Sequence, residues 1–109
     1  MNDKQKLATA FRRMRALGVF ASLGLNGCCR GCIACDLPHD KPFVWFYKGQ
    51  GNTLRYDDKG MLTSHNTIYL NHNSEDFPEM VWKCVNILNS VGLNAEWNGD
   101  HNKCIRVFW

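Results

Sequence analysis

The sequence predicts an α+β fold: a mainly antiparallel sheet of about four strands with two or three helices packed on one face, in the order helix, helix, strand, strand, helix, strand, strand. Three observations predict it. Two stretches repeat apolar residues every three or four positions, several short stretches are aromatic-rich or alternate in polarity, and glycine and proline fall between them. With 109 residues the chain suits a single domain and one core, and 45% hydrophobic against 21% charged residues excludes a disordered or collagen-like polymer.

The first element is an amphipathic helix over residues 3 to 17, because Leu7, Phe11, Met14 and Leu17 recur at helical spacing and direct Arg12, Arg13 and Arg15 elsewhere. Gly18 is placed to stop it. A second short helix is expected within residues 20 to 36. Pro38 and Pro42 then bracket a loop holding His39 and Asp40.

The run Phe43 to Tyr47 is aromatic and apolar throughout, which suits a central strand covered on one face and partly on the other. Gly49, Gly51 and Asn52 mark a turn, and Asp57, Asp58, Lys59 and Gly60 mark another inside a polar stretch. Thr67 to His72 alternates and reads as a half-buried strand. Asp76, Pro78 and Glu79 resemble a capping box opening a helix that carries Phe77, Val81, Cys84, Val85, Leu88 and Val91 on one face and stops at Gly92. Asn94 to Trp97 and Cys104 to Trp109 are expected to pair as a hairpin across the turn at 98–102.

Charge is unevenly distributed. Lys4, Lys6, Arg12, Arg13 and Arg15 face only Asp3 within the first fifteen residues, although the whole chain carries a formal +3. The near-neutral remainder argues against a nucleic-acid-binding class, so the basic helix reads first as a solvated face and, functionally, as a surface for an acidic partner through Arg12, Arg13 and Arg15. The apolar run 16–25 after these cations, ending before Cys28, has the order of a lipoprotein leader; two internal glycines and the helical pattern of residues 3 to 17 favour a cytoplasmic protein, with an exported lipoprotein cleaved before Cys28 as the alternative. The run is too short to span a membrane, which takes about 20 apolar residues.

The one chemical constellation is Cys28-Cys29-Arg30-Gly31-Cys32-Ile33-Ala34-Cys35. Overlapping C-x-x-C pairs allow Cys28, Cys29, Cys32 and Cys35 to hold zinc or an iron–sulfur cluster, with His39, His101 or Cys104 as other fourth ligands of zinc. The same cysteines also form a helical apolar stripe with Leu25, and small packing residues are the first reading, ahead of metal ligands. A redox pair is the third reading. Six cysteines in the chain fall below the roughly 8–10% that marks a disulfide-built scaffold. Cys84 reads as core, while Cys104 is undecided.

Weaker nominees have ordinary roles close at hand. His39, His65, His72 and His101 sit in polar stretches and read as solvated. Asp57 and Asp58 read as turn formers, and Trp45, Trp82, Trp97 and Trp109 as core or rim residues, their functional alternatives being a paired acid and a base-stacking platform.

Together, Cys28, Cys29 and Cys32, Phe46-Tyr47 with Gln50, Val91-Gly92-Leu93, and Glu96-Trp97-Asn98-Gly99 before Ile105 and Val107 resemble a family of small bacterial and phage proteins defined by a Cys-Cys-x-x-Cys motif and a Trp-Asp/Asn-Gly turn. That family is known by pattern and implies no activity. It carries histidine and aspartate near the aromatic strand where this chain has Lys48 and Asn52, and aspartate where it has Asn98. The expectation is a small non-catalytic module that binds another protein; a zinc or iron–sulfur protein is the alternative, and nucleic-acid binding through the basic helix ranks below both.

Overall fold

The computed structural model describes residues 1–25, 37–49 and 52–109. Its elements are α1 (Asp3–Ala16), β1 (Phe20–Leu25), β2 (Phe43–Tyr47), β3 (Thr67–His72), α2 (Pro78–Ser90), β4 (Asn94–Glu96) and β5 (Ile105–Phe108). The strands form one sheet in the order β1-β2-β3-β5-β4. β1 runs parallel to β2, and the other neighbours are antiparallel. The α+β class and the β4–β5 hairpin agree with the sequence. The sheet has a fifth strand, however, because residues 20–25, inside the 20–36 stretch within which a short helix was expected, pair with β2, so the order among the described residues is αβββαββ. Phe20, Ala21, Ser22, Leu23 and Leu25 suit a strand as well as a helix, and pairing beside the apolar β2 decides between them. The rest of the proposed second helix, at 26–36, lies outside the described residues.

Both helices cover the same face. Leu7, Phe11 and Met14 of α1 and Val81, Cys84, Val85 and Leu88 of α2 meet Val44, Phe46, Ile68, Leu70, Ile105 and Val107 in one buried cluster. Leu17, expected on that stripe, is the exposed C-cap of α1. On the opposite face Phe43 and Trp45 bury with Leu37, flanked by Phe20, Leu25 and Tyr47. β2 is thus apolar on both sides, which is why its sequence shows no alternation.

The helix starts differ from the sequence reading. α2 begins at Pro78 with Phe77 as N-cap and no side-chain cap bond, so Asp76 and Glu79 form no capping box. The box belongs instead to α1, where Asn2 Oδ1 accepts from the Gln5 N–H at 2.8 Å and Gln5 Oε1 accepts from the Asn2 N–H at 3.0 Å. α1 ends where Gly18 takes a φ of +88°, a left-handed conformation that a Cβ would strain.

Candidate functional site

The outer surface of α1 gathers the chain's charge asymmetry. Asp3, the helix's only carboxylate, is turned inward and buried, where its Oδ2 accepts the Leu62 N–H at 2.8 Å. At 100° per residue, Lys4 and Arg15 fall on one flank of the exposed face, Lys6 and Arg13 on the other, and Arg12 between them. The face therefore presents five cations and no acid. Arg106–Glu96, at 3.9 Å, is the one ion pair among the described residues, so none of these cations is paired there.

The three nominated arginines do different things. Arg12 makes no hydrogen bond to a described residue. Arg13 Nη1 donates to Ser90 Oγ at 3.3 Å, linking α1 to the end of α2. Arg15 Nε donates to the Ala21 carbonyl at 2.9 Å, on the edge strand β1. Helical spacing could show these side chains leaving the core, but not that Arg15 reaches β1, because no strand was read at residues 20–25.

Cys28, Cys29, Cys32 and Cys35, the nominated metal ligands, lie outside the described residues. Among the described residues no group of three or more His, Cys, Asp or Glu side chains is gathered to hold a metal ion. Cys84 is a free thiol in the core, and burial pushes its pKa up to about 12, which leaves it protonated and inert at neutral pH. Cys104 stands on the outer face with Sγ 3.7 Å from Asn71 Oδ1.

His65, His72 and His101 hold structural contacts beyond the solvated roles read for them, while His39 is exposed. His72 Nε2 faces the Lys103 carbonyl at 2.6 Å, and its Nδ1 faces the Ser74 N–H at 3.2 Å. Only the neutral ring protonated at Nε2 satisfies both. Burial lowers its pKa, assisted by His101 and opposed by the Lys103 bond and Glu75. His101 Nδ1 is 2.9 Å from buried Ser74 Oγ, and the Trp97 ring lies 5.0 Å from the His72 ring and 4.8 Å from that of Trp82. This cluster ties the 97–103 connection to the end of β3. His65 joins Ser64 Oγ and Asn52 Oδ1, each at 2.6 Å, and Asn52 Nδ2 donates to the Tyr47 carbonyl at 2.8 Å. That chain has the residue types of a nucleophile, base and orienter. The Arg55 N–H already occupies Ser64 Oγ at 2.9 Å, however, and the whole network closes the base of the 52–65 loop. Asp57 Oδ1 accepts the Lys59 and Met61 N–H groups, as a turn former does.

The outer face has an open half. Tyr69, 57% exposed, stands between a hollow of about 660 Å³ bordered by Glu96, Lys103, Cys104 and Arg106 and one of about 510 Å³ bordered by Tyr47, Asn52 and His65. Arg106 stacks on Phe108 at 4.4 Å and faces Glu96, so its charge is already offset. Trp45 is core and Trp82 and Trp97 form the rim cluster, while Trp109 is partly exposed with its backbone N–H donated to the Asn66 carbonyl. The surface of α1 is therefore a group of five cations with no ion-pair partner among the described residues.

No protein-family model, no characterised protein sequence and no solved structure matches this chain, so the resemblance drawn from its motifs stands as an expectation. No helix among the described residues is long and apolar enough to cross a membrane.

Proposed function

We propose that the protein is a small non-catalytic interaction module that docks an acidic partner protein on the exposed face of α1, acting in the cytoplasm. One observation carries the reading: Lys4, Lys6, Arg12, Arg13 and Arg15 share a surface from which the helix's single carboxylate has been withdrawn into the interior. Five like charges on one helix repel each other, and i,i+4 neighbours of opposite sign would have relieved that cost. Their surplus is instead available to steer and hold an acidic surface, an effect that weakens with salt. Nothing in the α1 surface resembles a reactive site, since its charged side chains are hydrogen-bond donors with no base or nucleophile gathered beside them. Kinship with the bacterial and phage family named above remains part of this proposal and adds no activity to it.

The test is fluorescence anisotropy with a glutamate-rich peptide and a single-stranded oligonucleotide of equal charge, each titrated at increasing salt. The peptide is expected to bind at low salt and to lose binding when Arg12, Arg13 and Arg15 are all changed to glutamate. Equal peptide binding by wild type and this variant would overturn the reading. Tighter binding of the oligonucleotide than of the peptide would reassign the same face to nucleic acid.

A further inference from the structure

Where α1 hands the chain to β1, the surface dips into a hollow of about 300 Å³ lined by Arg15, Gly18, Val19, Phe20, Ala21 and Lys41. Arg15 is not a freely moving side chain there. Its Nε–H is committed to the Ala21 carbonyl at 2.9 Å, which holds the guanidinium plane against the strand. Its two terminal nitrogens, with four N–H groups, have no hydrogen-bond partner among the described residues. Lys41 closes the other side, its Nζ lying 6.0 Å from the centre of the Phe20 ring. Two positive groups thus border one small space, and neither is within 4.0 Å of a carboxylate among the described residues. The mouth is open at Gly18, where a Cβ would meet nothing within 4 Å.

Like charges brought together without a counter-ion repel, and an anion seated between them would relieve that repulsion. The planar fork of a guanidinium fits the two oxygens of a carboxylate, and tethering Nε in advance lowers the entropy lost when the pair forms. We infer that this hollow is the seat for a carboxylate side chain of the acidic partner, gripped by the terminal nitrogens of Arg15 with Lys41 as second cation. The inference rests on the docking function proposed above and narrows it from a charged face to one pocket. The remaining cations of α1 then steer the partner, and Arg15 and Lys41 hold it.

The experiment uses isotope-labelled full-length protein and the blocked peptide Ac-Glu-Glu-Glu-Glu-NH2 at low salt, followed by amide and arginine side-chain NMR. The shifts of Val19, Phe20 and Ala21 are expected to saturate together with the Arg15 Nε–H signal. Arg15→Gln and Lys41→Gln should each weaken binding by roughly tenfold or more, the loss of a charge-assisted hydrogen bond, and Arg15→Lys nearly as much because it keeps the charge but not the fork. Arg12→Gln, the same change in net charge outside the hollow, should weaken it less than about threefold. If Arg12→Gln costs as much as Arg15→Gln, the hollow is overturned and the diffuse charged face survives. If the peptide shifts no resonance on α1 or β1, both readings fall. Inorganic phosphate saturating the same amides more tightly than the peptide would overturn the carboxylate assignment. Should Arg15→Gln lower the melting temperature strongly, Lys41→Gln, which breaks no hydrogen bond to a described residue, carries the comparison alone.

Discussion

The two edges of the sheet are each met by one side chain from the neighbouring helix, and the two differ in what they leave over. At the β4 edge, Asn89 of α2 accepts the Ala95 N–H at 2.9 Å and donates to the Ala95 carbonyl at 3.1 Å, so one neutral amide imitates a passing strand. At the β1 edge, Arg15 of α1 donates to the Ala21 carbonyl and brings a full charge whose four terminal N–H groups meet no acceptor among the described residues. An edge strand is a template for unwanted pairing, and covering its polar groups is a common protection. Asn89 closes its edge completely because donor and acceptor are both matched. Arg15 occupies only the Ala21 carbonyl of its edge and, on the proposal above, offers its remaining donors to an anion. Two solutions to one problem thus leave one end of the sheet inert and the other chemically receptive.

The largest effect is expected from breaking the neutral closure. Asn89→Ala would leave the N–H and C=O of Ala95 beside the core without partners, at a cost of about 2–3 kcal/mol, read as a lower denaturant midpoint. The exposed edge should also give concentration-dependent dimers in analytical ultracentrifugation, whereas wild type stays unchanged over the same range. Asn89→Asp sharpens the point: the carboxylate still accepts from Ala95 N–H but cannot donate to its carbonyl, so it should fall between wild type and alanine at neutral pH.

The next effect is pH dependence confined to the β4 end. His72 holds the 97–103 connection through the Lys103 carbonyl and is neutral when folded. Burial sets its folded pKa below the ordinary 6.5, so on acidification the unfolded chain takes up the proton first. Its contribution is fully present above pH 6.5 and is lost as pH falls toward the folded value. Urea midpoints from pH 8 to 5 should decline in wild type, and His72→Gln should flatten the lower part of that profile. Amide exchange near β1 should not follow the same titration.

Breaking the charged closure should cost less stability. Arg15→Met removes one partly buried hydrogen bond worth about 1 kcal/mol while keeping an apolar stem over β1. Arg12→Gln, which loses no hydrogen bond to a described residue, should shift thermal stability by no more than about 0.5 kcal/mol. A larger loss for Arg12→Gln than for Arg15→Met would show that the edge contact contributes nothing.

Much of this architecture was legible in the sequence and the edges were not. Leu7, Phe11 and Met14, and Val81, Cys84, Val85 and Leu88, announce their helices by period, and Ile68 with Leu70 announces β3 by alternation, because burial on one face imposes those periods. β1 escaped because an apolar segment of strand length has no period of its own when both faces are partly covered, and its partner is fixed by tertiary pairing. The capping box was sought at Asp76 and Glu79 but formed at Asn2 and Gln5, since the cap is decided by how the chain enters the helix as well as by residue type. Of the nominated site residues, the exposure of Arg12 followed from helical spacing. The contacts of Arg13 with Ser90 and Arg15 with Ala21 join distant elements or require the right fold, which spacing alone does not encode. Asn89 carries no local signal either, since a polar residue late in a helix usually faces water.

The most direct measurement is hydrogen exchange of side-chain N–H groups by NMR in the unmodified protein, comparing Asn89 with Arg15 and both with Arg12. The Asn89 amide is expected to exchange slowest, the Arg15 Nε–H measurably slower than that of Arg12, and the Arg15 terminal N–H groups at solvent rates. An Arg15 Nε–H exchanging as fast as that of Arg12 would contradict the tethered guanidinium, and with it the contrast between a closed and a receptive edge.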